Sequence, residues 1–222
     1  GNPFFIDITE IDGFDDLHHA EGILKQAEER AAELYGSEET HYLVNGSTSG
    51  ILAAISGCTA AGGTILLARN SHKSAYHAVL LRGLHVHYIY PQPAGKMGIN
   101  GPVTAENVDR LLEEHPETKV VYITSPTYDG VVSDVERIAE VVHRRKLPLI
   151  VDEAHGAHFP FSEQFPKDSV SCGADVVIHS VHKTLPSLTQ TALIHLNGDL
   201  INREKIRYFL GVYQSSSPSY VM

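Results

Sequence analysis

An aspartate closes the apolar run Ile150-Val-Asp-Glu-Ala-His155, and a lysine follows in Val177-Ile-His-Ser-Val-His-Lys-Thr184. Lys183 comes 31 positions after Asp152. An acid ending one buried run and an amine just past the next suit pyridoxal 5'-phosphate (PLP). That cofactor needs an amine for its Schiff base and a carboxylate to keep its pyridine nitrogen protonated. Taken alone, each residue has a plainer reading: Asp152 caps a turn, and Lys183 is a solvated turn lysine. Their spacing is what makes the pair informative.

Other strand ends supply what such a site still lacks. Asn45-Gly-Ser-Thr-Ser-Gly50 precedes a helical pattern. Small residues let the backbone approach an anion, and a helix N-terminus offers free N–H groups. Ser47, Thr48 and Ser49 add hydroxyls, although a simple turn with an N-cap fits that stretch equally well. His72, in Arg69-Asn-Ser-His-Lys-Ser74, projects from another strand end, where an imidazole can stack on a flat ring. Ser180 and His182 alternate about Val181 and are expected to point together toward the phosphate.

Two competing motifs fail. Asp152-Glu-Ala-His155 spells a helicase-type Walker B sequence, which requires a phosphate loop of the form Gly-x4-Gly-Lys-Ser/Thr. The sole Gly-Lys pair, Gly95-Lys96, is followed by Met97. His155, His158, His179 and His182 hint at a metal, but no carboxylate or cysteine completes a ligand spacing, so no metal is predicted.

Alternating patterns must position these groups. Strands are expected near 41–44, 64–68, 85–90, 119–124, 148–152, 175–180 and 190–196. Helices are expected near 18–35, 49–60, 71–82, 104–114 and 133–146. The runs at 64–68, 119–124 and 148–152 are apolar on both faces, as parallel strands are. Ser133-Asp-Val-Glu136 reads as a capping box. The prediction is an α/β domain on a mostly parallel, seven-stranded sheet flanked by helices. Residues 153–174 read as a long loop, residues 1–20 as an N-terminal arm, and 21–222 as the domain itself.

The 222 residues carry 17 basic and 27 acidic groups, a net charge of −10, which argues against nucleic acid or an anionic membrane as partner. No apolar run approaches the roughly 18–20 residues needed to cross a bilayer. Two cysteines without ligand spacing favour a reducing, cytoplasmic setting. A start at Gly-Asn-Pro and an end at Tyr-Val-Met suggest a piece of a longer chain.

Five motifs, in order, carry a resemblance over most of residues 18–218: Asn-Gly-Ser-Thr-Ser (45–49), Asn-Ser-His-Lys-Ser (70–74), Ser-Pro-Thr-Tyr-Asp-Gly (125–130), Asp-Glu-Ala-His-Gly-Ala-His (152–158) and Ser-Val-His-Lys-Thr (180–184). The chain resembles the large PLP-binding domain of the bacterial ornithine/lysine/arginine decarboxylases, with an aspartate-aminotransferase-like fold. The resemblance implies Lys183 as the Schiff-base lysine, Asp152 as partner of the pyridine nitrogen and His72 as the stacking group. It implies Ser47, Thr48, Ser180 and His182 at the phosphate, Ala154 on the opposite ring face and His155 near the ring hydroxyl. Ser216 would reach the phosphate of a neighbouring subunit, so at least a homodimer with shared sites is expected. The implied activity is loss of CO2 from lysine, arginine or ornithine to give a diamine or agmatine, a step of polyamine biosynthesis. A PLP aminotransferase, a cysteine-desulfurase-like lyase and a cofactor-binding domain inactive alone remain open alternatives. Pro186, and the absence of the family's smaller C-terminal region, depart from the pattern.

Overall fold

The computed structural model describes residues 2, 5, 10, 13–95, 98–216 and 218–219. Its strands are β1 (Glu39–Leu43), β2 (Thr64–Ala68), β3 (His85–Ile89), β4 (Thr118–Thr124), β5 (Leu149–Asp152), β6 (Val176–His179) and β7 (Ala192–Leu196). Its helices are α1 (Ile23–Tyr35), α2 (Gly46–Cys58), α3 (Lys73–Arg82), α4 (Ala105–Glu114), α5 (Val135–Arg144), α6 (Val181–Thr184) and α7 (Arg203–Tyr213). One sheet runs β1-β7-β6-β5-β4-β2-β3. Strands β2 to β6 pair in parallel, whereas β7 is antiparallel to both β6 and β1. The expected α/β architecture and mostly parallel sheet are therefore present.

Side chains of successive strand residues leave opposite faces of a sheet, so apolar runs build two cores at once. Ile65, Leu67, Tyr122, Ile150 and Ile178 face a layer with residues of α2, α3 and α7. Leu66, Val121, Ile123, Val151 and Val177 face α4 and α5. Every residue of β2 and β5 is buried. Fully burying each Leu, Ile or Val in these strands contributes roughly 1.5–3 kcal/mol before entropy is charged against it.

Several boundaries differ from the sequence expectation for identifiable reasons. α1 starts at Ile23 rather than near 18. Asp15 accepts from the N–H groups of Glu21, Gly22 and Leu24, so the arm's carboxylate caps the helix from upstream. The capping box also moves by one residue. Asp134, not Ser133, accepts from the Arg137 N–H, while the Ser133 hydroxyl accepts from Val103 N–H. The loop 153–174 is not structureless: it contains a 3-10 turn at Phe159–Phe161 and buries Ala157, Phe159, Asp168 and Ser169. Helix α7 was not expected, although Ile206, Phe209 and Leu210 have helical spacing behind the N-cap Asn202. Of the arm, Leu17 is buried and His18 Nε2 lies 2.9 Å from the Ser215 carbonyl oxygen.

Candidate functional site

Ligands in open α/β sheets bind beyond the carboxyl ends of the strands. There, a cavity of about 370 Å³ is lined by Ser47, His72, Asp152, Ala154, His155 and Lys183, all predicted from sequence. Its volume lies in the range of small-molecule pockets. Asn70, Ser71, Thr124, Pro126 and Tyr128 complete the wall. A larger cleft of about 430 Å³ lies between the arm, α1 and β1, away from these strand ends.

Each side chain is held by a local device. Asp152 closes β5 and is buried. Ala154 N–H donates to its Oδ1 at 3.2 Å, and the Tyr122 hydroxyl donates to its Oδ2 at 3.2 Å. Burial pushes its carboxyl above the usual range, against the pull of the Ala154 N–H and the Lys183 charge. Tyr122 was missed by sequence reasoning, because a tyrosine within an apolar strand reads as core.

His72 is the N-cap of α3. Ser74 N–H donates to His72 Nδ1 at 3.3 Å, which assigns the ring proton of the neutral form to Nε2. Burial lowers its basicity, and the Lys183, Lys73 and His77 charges add to that, with Asp152 opposing. His155 is likewise lowered by burial first and by Lys183 next. Both imidazoles are thus biased toward the neutral form.

The Gly46 backbone at φ 69 turns the chain into α2, a left-handed conformation that favours glycine. Ser47 therefore sits in the first turn of α2, where Ser180 Oγ donates to its Oγ at 2.8 Å. This contact joins two motifs 133 residues apart. The expected strand-like alternation of Ser180 and His182 is corrected: β6 ends at His179, and Val181–Thr184 is one helical turn capped by Ser180. That turn stops at Leu185, whose extended backbone (φ −125, ψ 156) is what the residue before Pro186 requires. Thr48, Ser180, His182 and Ser216 are not among the residues lining the cavity; Ser180 is buried and bonded to Ser47, and Thr48 and Ser216 are exposed.

Behind the cavity runs a buried polar chain that sequence reasoning did not identify. Glu153 Oε2 lies 2.8 Å from His179 Nε2, and His179 Nδ1 lies 3.0 Å from His195 Nε2. His195 Nδ1 lies 2.8 Å from Thr40 Oγ1. Ser169 donates both its N–H and its hydroxyl to Glu153. Glu153 adjoins Asp152 and His179 adjoins Ser180, so this pair ties together the two strand ends that carry the site.

The cavity suits PLP on its own chemistry. A buried carboxylate with no cation in hydrogen-bonding contact among the described residues would be offset by a protonated ring nitrogen. Asn70 Oδ1 is buried on the wall with no hydrogen-bond partner among the described residues, leaving an acceptor to satisfy. Paired serine hydroxyls at a helix N-terminus suit a phosphate.

Comparison with known proteins agrees in kind. The family model described as Orn/Lys/Arg decarboxylase, major domain, matches residues 1–222. The uncharacterized protein YaaO of Bacillus subtilis is 45% identical over 216 residues, covering 97% of this chain and 45% of that protein. An arginine decarboxylase of the same organism is 35% identical over 221 residues, covering 100% of this chain and 45% of that protein. The chain therefore spans less than half the length of these curated relatives. Lysine decarboxylase A from Pseudomonas aeruginosa shares the fold, with a TM-score of 0.83 at 24% identity, covering 96% of this chain and 31% of that one.

Proposed function

The chain belongs to the ornithine/lysine/arginine decarboxylase family through its major domain, and on that premise we propose that it is the cofactor-binding part of a PLP-dependent decarboxylase of basic amino acids. The support is one observation: Asp152 and Lys183 line a single cavity together with His72 and Ala154. When bound, PLP supplies a conjugated electron sink for the bonding pair left behind as CO2 departs.

The chain's own residues then have definite tasks. Lys183 would hold the cofactor through its amine. Asp152, oriented by Tyr122 and the Ala154 N–H, would keep the proton on the ring nitrogen. His72 and Ala154 would bracket the ring, with His72 fixed by its bond from Ser74. Ser47 and Ser180 would hold the phosphate with the free N–H groups of α2. Ser216, exposed and outside its own chain's cavity, would serve the phosphate of a neighbouring subunit in at least a dimer.

The lysine assignment is tested by Lys183→Ala. The wild-type protein with PLP should show visible absorbance that borohydride fixes to the chain, and the variant should lose both. A variant that keeps them would sink the assignment. The reaction is tested by assaying CO2 release from lysine, arginine and ornithine with the full-length protein. Recovery of a keto acid or transferred sulfur, with no CO2, would point instead to an aminotransferase or a desulfurase-like lyase.

A further inference from the structure

The β5–β6 ladder ends where Asp152 faces Ile178, and its last backbone bond runs from Glu153 N–H to the Ile178 carbonyl at 3.0 Å. Beyond that bond the two chains part. One turns back through Gly156, whose N–H donates to the Glu153 carbonyl, and the other enters the single turn of α6. Asp152 leaves with the first and Lys183 with the second, so the ladder no longer fixes one against the other. Glu153 and His179 bridge the gap from behind the cavity, which neither of them lines.

A path of short links thereby joins the acid to the amine. Asp152 is followed by Glu153, whose Oε2 lies 2.8 Å from His179 Nε2. His179 is followed by Ser180, whose carbonyl accepts from Lys183 N–H at 3.1 Å. Each half of the bridge is itself held. Ser169 donates its N–H and its hydroxyl to the carboxylate. His195 Nε2 meets the other nitrogen of His179 at 3.0 Å, and the Tyr35 ring packs 4.9 Å from the imidazole. A Cβ on Gly156 would stand 2.6 Å from Glu153 Cγ, so the loop backbone confines the carboxylate's stem.

Stability alone does not call for this pair. Two apolar side chains of the same shape would fill the space at a similar free energy, whereas hydrogen bonds also specify direction. Given the cofactor reading, on which this rests, we infer that Glu153 and His179 are positioning residues: they set Asp152 against Lys183 without lining the cavity. The consequence is chemical. A poorly placed Asp152 lets the ring nitrogen lose its proton, the ring then withdraws fewer electrons, and the Schiff-base nitrogen keeps its proton to higher pH.

The test titrates full-length protein with PLP and reads the dissociation constant, the pH midpoint of the bound cofactor's visible band, and the thermal midpoint. The double variant Glu153→Leu/His179→Leu exchanges the bridge for an apolar pair. It should raise the band's pH midpoint and weaken PLP at least ~10-fold, less than the ~100-fold in rate that a misplacement of about 1 Å can cost. Glu153→Gln, which keeps an oxygen for His179, should move both quantities less. A merely structural role would lower the thermal midpoint and leave the band's pH midpoint unchanged. Should the double variant not fold, Ser169→Ala removes one support of the carboxylate and should move the band in the same direction. Folded variants with the wild-type dissociation constant and band midpoint overturn the inference alone. A wild type without any band that borohydride fixes overturns the cofactor reading, and the inference with it.

Discussion

At the scale of single residues, Asp152 carries the strongest tension between stability and function. Burial raises its carboxyl in the folded protein, so the folded state binds a proton more tightly than the unfolded chain does. Without cofactor, stability should therefore fall as pH rises from the ordinary carboxylate range through that raised value. Asp152→Asn removes the ionisable group while keeping a carbonyl oxygen to accept one hydrogen bond. In urea unfolding at neutral pH, the cofactor-free variant should be more stable than wild type and should lack that decline. It should also bind PLP ~10–100-fold more weakly, matching the about 1.5–3 kcal/mol of a hydrogen bond to a charged group. A variant that is both less stable and equally tight would contradict the role given to Asp152. Asp152, Lys183 and His72 were legible because each follows an apolar run and has distinctive chemistry. Glu153 and Tyr122 were not, since their importance lies in partners brought near only by the sheet.

At the scale of elements, the edge strand β1 is tied to its neighbours by charge. His41 lies 3.1 Å from Glu28 of α1 and 2.5 Å from Glu39, which also pairs with Arg207 of α7. Burial opposes the charged imidazole, but the two carboxylates raise it from 6.5 to about 9. Burial also opposes a charged Glu39, yet His41 and Arg207 hold it at about 2. The signs differ. The His41 contribution is complete below pH 6.5 and is lost as pH rises through about 9; that of Glu39 is complete above 4.5 and is lost as pH falls toward about 2. Wild type should lose on the order of 3 kcal/mol between neutral and strongly alkaline pH from this histidine, a loss His41→Gln should not show in urea unfolding. Strands β2, β4, β5, β6 and β7 were legible from apolar runs, because a strand buried on both faces has little choice of residue; β1 and β3, at the sheet edges, are only partly buried. Helix ends were less so. Asp15 caps α1 from outside its periodic stretch, and Asp134 takes the cap that Ser133 gives up to Val103. Helix α7 had the right spacing in Ile206, Phe209 and Leu210, but its single apolar stripe beside exposed charge is a weak signal.

At the scale of the molecule, the chain spans 45% of its arginine decarboxylase relative, and the proposed function expects groups that bind the substrate's side chain to come from beyond these 222 residues. The 222 residues alone should bind PLP yet release CO2 at least ~100-fold more slowly than the full-length protein, a deficit of about 2.7 kcal/mol in activation free energy. Equal rates would place the whole active site within this chain. Light scattering of the full-length protein should give at least a dimer, and a monomer that retains full activity would exclude the role proposed for Ser216. The sheet order has a further consequence for biogenesis. Among the described residues, strand β1 pairs only with β7, so Glu39 must wait for Leu196, and Ser47 just beyond it must wait for Ser180. On a translating ribosome, the Ser47–Ser180 contact therefore forms only after residues up to Ser180 have emerged. Truncation before β7 leaves β1 without the strand it pairs with.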